Sequence, residues 1–375
     1  MDWASLAVPA VRTIEAYQPG VTEQKLRRAT GLHRIVKFAS NEAPFGPSPA
    51  VEAAMRDALR LANRYPDAQD LLEALAEHLA VPAQCLWLGN GSIEVIGSVV
   101  RVFVDQRHNV VLSRYGYSAF PALVKAQGAS IRWADSGPGY SHNVDSLLAQ
   151  VDSNTRLIII DSPSNLSGQW VQPSHLQRLL RALPPHVIVL LDEAYAEFVE
   201  GEYAKRSAQW PLSGAPLIIT RTFSKAYGLA GMRIGYGIAD GAVVSQVSRI
   251  GTPFPVSGVA LAGARAALSD SAHIEHVVSE TVCGRRRLAE ALSHLGFDAR
   301  YEHGNFVLVD FGEFAPSLYD RALARGYILR SLPAYGLRTH LRVSIGTHEE
   351  ISGLIDLVAE LSHGRVSVSS LAAVG

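Results

Sequence analysis

Apolar runs of four or five residues recur along the chain, separated by stretches with helical spacing. LIII (157–160), VIVLL (187–191) and PLIIT (216–220) are almost continuously apolar, as expected of strands buried on both faces of a parallel sheet. NVVLS (109–113), IGYGIA (234–239) and the shorter LWL (86–88) are weaker versions of the same pattern. Between them lie predicted helices. One opens on Ser48 and Pro49, an N-cap followed by an N1 proline. Another begins at Asp67 and must end near Val81-Pro82. This alternation predicts an α/β fold, a mostly parallel central sheet with helices on both faces.

Beyond about residue 270 the rhythm changes. A long helix is predicted from Ser271 toward His294, then strands at NFVLVD (305–310) and LRVSIG (341–346). A capping box, Thr347-x-x-Glu350, opens a last helix running to about Leu361. Fewer strands and longer helices predict a smaller α+β domain, with a boundary near 260–270. The tail RVSVSSLAAVG (365–375) is expected to fray.

Composition narrows the function classes. The chain has 375 residues, 48% hydrophobic and 18% charged, which is globular and sets two or three domains as a first expectation. Lysine plus arginine (34) nearly balances aspartate plus glutamate (35), which argues against coating nucleic acid or an acidic membrane. A local basic pocket remains compatible with that balance. Cys85 and Cys283 form no CxxC pair and read as buried thiols in a reducing compartment. No signal peptide or membrane span is expected, so the chain reads as cytoplasmic.

In an open α/β sheet, ligands bind beyond the carboxyl ends of the strands. After LWL comes Gly89-Asn90-Gly91-Ser92, and after VVLS comes Arg114-Tyr115-Gly116-Tyr117. LIII is followed by Asp161-Ser162-Pro163-Ser164-Asn165-Leu166-Ser167-Gly168, and VIVLL by Asp192-Glu193-Ala194-Tyr195. LIIT runs into Arg221-Thr222-Phe223-Ser224-Lys225, with Arg233 eight residues on. Taken singly, these have ordinary readings: a serine-capped turn, a capping aspartate, a solvated lysine, an ion-paired arginine. Together they match one ligand, pyridoxal phosphate. That cofactor needs a lysine for a Schiff base, an acid at the pyridine nitrogen, phosphate donors, groups at the ring hydroxyl and an aromatic face. Lys225, Asp192, the Ser92/Thr222/Ser224/Arg233 set, Asn165 with Tyr195, and Tyr115 supply these roles.

Other chemistries lack their patterns. Gly235-x-Gly237 has no third glycine, and no GxxxxGK[ST], HExxH or GxSxG occurs. Asp192-Glu193 with Glu197 is an unspecific metal alternative.

Several segments carry a resemblance: KFASNEAPFGPSP (37–49), RYPD (64–67), LGNGS (88–92), SPSNLSG (162–168), LLDEAYAEF (190–198), RTFSKAYGLAGMRIGY (221–236), ILRSLPAYGL (328–337) and LRVSIGT (341–347). They resemble the class I/II aminotransferases of fold type I, and among these the histidinol-phosphate branch, over about residues 10–362. The resemblance implies an N-terminal arm and small-domain segment (1–45), a large pyridoxal-phosphate-binding domain (46–265) and a small C-terminal domain (266–375). It makes Lys225 the lysine that joins the cofactor and later shuttles a proton, and Asp192 the partner of the pyridine nitrogen. Asn165 and Tyr195 would contact the ring hydroxyl, and Tyr115 would stack on the ring. Gly91, Ser92, Thr222, Ser224 and Arg233 would hold the phosphate, with Tyr65 reaching it from a partner subunit of a homodimer. Arg342 would grip the substrate's anionic end, Tyr17 and Arg330 would contact a substrate phosphate, and Asn41 would lie beside the substrate.

The implied activity is ping-pong transamination between an L-amino donor, histidinol phosphate first, and a 2-oxo acid. Alternatives are an aromatic aminotransferase, a threonine-phosphate decarboxylase or a cofactor-dependent oxidase. A non-catalytic sensor fits less well, since Lys225 and Asp192 are both present. The chain departs from the family pattern at Ala43, where asparagine is frequent, at Ile93, where a polar residue is common, and at Leu166 and Ser331, where proline is usual.

Overall fold

A computed structural model describes residues 1–16 and 20–362; Tyr17 and the tail after residue 362 lie outside the described residues. The apolar runs assemble into one seven-stranded sheet. Its strands are β1 (Leu86–Gly89), β2 (Asn109–Ser113), β3 (Ser130–Ala134), β4 (Thr155–Asp161), β5 (Ile188–Asp192), β6 (Leu217–Thr222) and β7 (Gly235–Ile238). The order is β1-β7-β6-β5-β4-β2-β3, and β2 to β6 run parallel. β7 is antiparallel to both its neighbours. β3 escaped the apolar pattern because it is an edge strand with exposed positions along it.

The continuous apolar runs are explained by two cores, one on each face of the sheet. Ile158, Ile160, Val189, Leu191 and Ile219 pack on one side with helices Pro49–Ala58, Gln69–Leu79 and Gly258–Ser269. The alternate residues Leu157, Ile159, Leu190 and Ile218 pack on the other with helix Ser92–Phe103. Full burial of such side chains contributes about 1.5–3 kcal/mol each. A polar residue in mid-strand would therefore be costly on either face.

The helix boundaries follow their caps. Ser48 Oγ accepts from Val51 N, and Asp67 Oδ1 accepts from Gln69 N at 2.9 Å. Helix Ser271–His294 is capped by Asp270. The capping box is reciprocal: Thr347 N donates to Glu350 Oε2 at 2.8 Å, and Glu350 N donates to Thr347 Oγ1 at 3.3 Å.

A second sheet is wholly antiparallel: β8 (Asp298–Arg300), β9 (Phe306–Asp310), β10 (Arg330–Leu332) and β11 (Leu337–Ser344), in the order β10-β11-β9-β8. Val36–Lys37 pairs in parallel with Tyr327–Ile328, so a segment near the N-terminus enters this second core beside Leu288, Val307, Val343 and Leu354. Phe38 O accepts from Ser344 N at 2.9 Å, which carries Ser40 and Asn41 toward the ends of the large sheet's strands.

Cys85 is buried, whereas Cys283 is exposed, correcting the expectation of two buried thiols. Its position on the outer face of a long amphipathic helix accounts for the difference. Among the described residues no helix is long and apolar enough to cross a membrane.

Candidate active site

Strand exits of the large sheet surround a cavity of about 270 Å³. Ser92, Asn165, Asp192, Tyr195, Thr222, Ser224, Lys225 and Arg233 all line it.

Gly91 caps helix Ser92–Phe103 at φ 79°, and no side chain caps the first turn. A Cβ at Gly91 would lie 2.6 Å from Arg233 Nη2, so glycine lets the guanidinium close over the helix N-terminus. At Gly235 a Cβ would meet Ser92 N at 2.5 Å, so this glycine permits the strand to press against the same turn. Thr222 Oγ1 donates to Ser224 Oγ at 2.9 Å, and Arg233 Nη1 reaches that oxygen at 3.4 Å. Uncapped N–H groups, two hydroxyls and a guanidinium make an anion cup. Arg233 itself sits in the left-handed region at φ 55°, a conformation costing about 1–2 kcal/mol for a residue with a Cβ.

Asp192 terminates β5, almost fully buried, and accepts from Thr220 Oγ1 at 3.0 Å. Burial, then the charge of Asp161, pushes its carboxyl up to about 7. Lys225 Nζ donates to Ser40 O at 3.2 Å and lies 5.7 Å from the Tyr195 ring centre. Burial, then the Arg342 charge, brings its ammonium down to about 8. A carboxyl that keeps its proton more tightly than usual and an ammonium that keeps its own less tightly face the same cavity.

Tyr195 Oη accepts from Asn41 Nδ2 and from Asn165 Nδ2, both at 2.8 Å. With both lone pairs occupied, the hydroxyl can only donate its own proton. Burial pushes that hydroxyl up to about 12, which keeps it protonated. Asn165 Oδ1 and O both accept from Arg342 Nη1, at 2.9 and 2.6 Å. Arg342 Nε is buried without a partner, and the guanidinium lies over the Phe306 ring. Asn41, at φ 53°, is held by Ser344 Oγ, which accepts from its N–H and donates to its Oδ1.

Some expected residues lie elsewhere. Tyr115 is not among the cavity-lining residues; its ring packs edge-on to Tyr140, while Tyr117, two residues on, lines the cavity. Tyr65 is 82% exposed and stacks on Phe254, away from its own chain's cavity. Arg330 is outside the lining but directly opposite Arg342 across β10–β11, so both side chains project from one face of that sheet. A Cβ at Gly20 would lie 3.0 Å from Arg330 Nη1, which places the guanidinium beside the N-terminal segment. Tyr17 is outside the described residues.

Residues not foreseen also line the cavity: Ser40, Glu42, Asp161, Pro163, Ala194 and Ala230. Asp161 stood in the strand-exit strings, so the signal existed; Glu42 is held by Lys37 at 2.8 Å. Ile93 does line the cavity, an apolar side chain beside the cup. Glu193, one member of the metal alternative, is engaged by Arg221, Tyr203 and Ser207.

The departure at Leu166 has a physical account. Its side chain is fully buried with Leu308 and Leu332, and Ser164 Oγ accepts from Leu166 N at 3.2 Å. Apolar anchoring and a serine turn do the work that a proline ring would do.

Comparison with known proteins follows the same lines. Residues 33–358 match the family aminotransferase class I and II. A histidinol-phosphate aminotransferase 2 of Methylococcus capsulatus is 40% identical over 358 residues, covering 94% of this chain and 96% of that protein. A histidinol-phosphate aminotransferase 1 of Nitrosococcus oceani is 38% identical, covering 94% and 96%. The crystal structure of histidinol-phosphate aminotransferase from Sinorhizobium meliloti, in complex with pyridoxal-5'-phosphate, superposes with a TM-score of 0.85 at 28% identity, covering 95% and 98%. With a matching fold, a matching sequence over most of its length and a lysine, acid and anion cup at the strand exits, the chain belongs to aminotransferase class I and II.

Proposed function

We propose that this protein is a pyridoxal-phosphate-dependent aminotransferase that takes the amino group of histidinol phosphate and passes it to 2-oxoglutarate, giving imidazole-acetol phosphate and glutamate. The observation that carries this reading is the convergence of Lys225, Asp192, Tyr195 and the anion cup on one cavity.

The residues fit the cofactor. The uncapped helix end with Arg233, Ser92, Thr222 and Ser224 suits its phosphate. Asp192, buried and short of a cation, suits the ring nitrogen. Tyr195 has a proton to give and no free acceptor, which suits a ring oxygen anion. Tyr117 supplies an aromatic face in the cavity, and Tyr115 stands two residues away. When bound, pyridoxal phosphate supplies an electron sink into which substrate Cα–H bonding electrons can be drawn.

The chain's own groups do the rest. Lys225, with its ammonium lowered to about 8, gives up its proton far more readily than an ordinary lysine and can then carry one at Nζ. A charged Asp192 keeps a proton on the ring nitrogen. Asn41 and Asn165 fix the Tyr195 hydroxyl, so that its donation needs no reorganisation. Arg342 spends Nη1 on Asn165, and the rest of its guanidinium would serve a substrate anion. Arg330, opposite it, adds a second positive charge for which a phosphate is the natural counterion.

The same reading makes the protein a cytoplasmic homodimer. Tyr65 is exposed and out of reach of its own cavity, as suits a residue serving a partner's phosphate cup.

A donor panel tests the substrate. The bound cofactor's visible absorbance should bleach in a single turnover with histidinol phosphate, and much less with histidinol, phenylalanine or threonine phosphate. Failure with histidinol phosphate alone would remove the substrate assignment and leave the cofactor chemistry standing.

A further inference from the structure

Asp161 closes β4 directly across from Asp192 at the end of β5, and both line the cavity. Two neighbouring buried carboxylates repel, so the second needs a reason to be there. Its contacts supply one. Oδ2 accepts from Asn165 N at 2.6 Å, and Oδ1 accepts from Tyr117 N at 3.1 Å. One side chain thus ties the turn after β4 to the turn after β2. A Cβ at Gly116 would lie 3.2 Å from Oδ1, so glycine there leaves room for the carboxylate.

His142 lies behind it, almost fully buried. Its Nε2 is 2.7 Å from Asp161 O and 3.3 Å from Asp161 Oδ1. Both neighbours are acceptors, so Nε2 bears the proton; Nδ1 is buried without a partner. The imidazole anchors Asp161 through its backbone carbonyl, with the carboxylate 3.3 Å away, and the carboxylate fixes two backbone N–H groups.

We propose that Asp161, anchored at its backbone carbonyl by His142, is the positioning residue of this site, clamping Asn165 and Tyr117 in register with the cavity. The clamp reaches further through Asn165, which holds both Tyr195 Oη and Arg342 Nη1. Charge-assisted bonds to backbone N–H groups are short and about twice as strong as neutral ones. The clamp adds a charged hold to a turn that buried Leu166 and the Ser164 hydroxyl also anchor. Asp161 touches neither moving proton nor leaving group; it acts through its neighbours. The inference rests on the cofactor assignment above.

The test uses the full-length holoenzyme and the variants Asp161→Asn, His142→Leu and His142→Gln. The readouts are thermal unfolding, cofactor dissociation constant, visible-region circular dichroism of the bound cofactor, and kcat and KM. Asp161→Asn should still join its cofactor through Lys225. Its visible dichroism should weaken by about half, and its kcat per folded holo-subunit should fall about tenfold or more, since small misplacements cost that much. KM for the amino donor should rise as Arg342 loosens. His142→Leu should move the same readouts less, and His142→Gln, whose amide can still donate to the Asp161 carbonyl, should recover most of the loss.

Wild-type dichroism and kinetics per folded subunit in both Asp161→Asn and His142→Leu would overturn the proposal, leaving Asp161 a purely structural residue. If Asp161→Asn does not fold, His142→Leu decides by the same criteria. A wild-type protein that takes no cofactor at Lys225 would instead overturn the functional reading on which the proposal rests.

Discussion

Asp192 shows what a prepared site costs at the scale of one residue. Without cofactor its carboxyl titrates at about 7, against an ordinary value of 3.8, because burial and Asp161 oppose its charge. The folded pKa lies above the unfolded one, so the protonated group's contribution is fully present below about pH 4 and is lost as pH rises through about 7. Cofactor-free Asp192→Asn should therefore be more stable than wild type at pH 8, by roughly 1–4 kcal/mol, and bind cofactor more weakly. Denaturant melts at pH 5 and pH 8 check this; an equal difference at both would contradict it. Lys225 carries the complementary prediction. The rate at which cofactor-free protein captures pyridoxal phosphate should climb with pH to a midpoint at about 8, as the neutral amine accumulates. Gly91→Ala should weaken cofactor binding about tenfold or more, since its Cβ would lie 2.6 Å from Arg233 Nη2 and its φ is 79°. Equilibrium titration measures it.

At the scale of elements, β5 and β6 are fastened just past the cavity by a buried ion pair. Arg221 donates to Glu193 Oε2 from Nε at 3.0 Å and from Nη2 at 2.7 Å, and Tyr203 and Ser207 complete the carboxylate's partners. Breaking such a pair leaves an uncompensated buried charge, so Arg221→Met should cost about 3–5 kcal/mol in chemical unfolding. Glu193→Gln with Arg221→Met together should cost less than the sum. Elements were legible in the chain wherever burial was two-sided: β4, β5 and β6 announce themselves as apolar runs, and their exits name the cofactor groups. β3 is half exposed at the edge and Val36–Lys37 has two residues, too few for any period, so neither left a readable pattern. Tyr117 and Asp161 were visible as strand-exit residues without roles. The bond that matters joins Asp161 to a backbone N–H, and every residue but proline has one. The Tyr115 and Tyr117 rings sit two positions apart on one turn, and only the turn's geometry decides which lines the cavity. Arg330 and Arg342 are twelve residues apart in the chain, and the β10–β11 register makes them neighbours.

The whole molecule joins two cores through the site. Asn41 arrives with the N-terminal segment and Arg342 with β11, while Lys225, Asp192 and Tyr195 belong to strand exits of the large sheet. Lys225 and Asp192 thus anchor on one sheet, while Arg342, which we assign to the substrate anion, projects from the other. Arg330→Ala should accordingly raise KM for a phosphorylated donor about tenfold or more and leave a carboxylate substrate nearly unaffected. A subunit partner is the remaining whole-molecule question. Tyr65 and Phe254 form an exposed aromatic stack, and Leu59, Leu61 and Ile250 are exposed as well, apolar surface suited to burial between subunits. If the proposed dimer shares its sites, Tyr65→Ala should weaken cofactor binding, although Tyr65 does not line its own cavity. Everything proposed for the site depends on Lys225 joining pyridoxal phosphate. Borohydride reduction of the yellow holoenzyme, followed by peptide mass analysis, tests it most directly. One pyridoxyl group per chain is expected, on the peptide carrying Lys225, and none in Lys225→Ala; a colourless protein, or a label on any other lysine, would overturn the assignment.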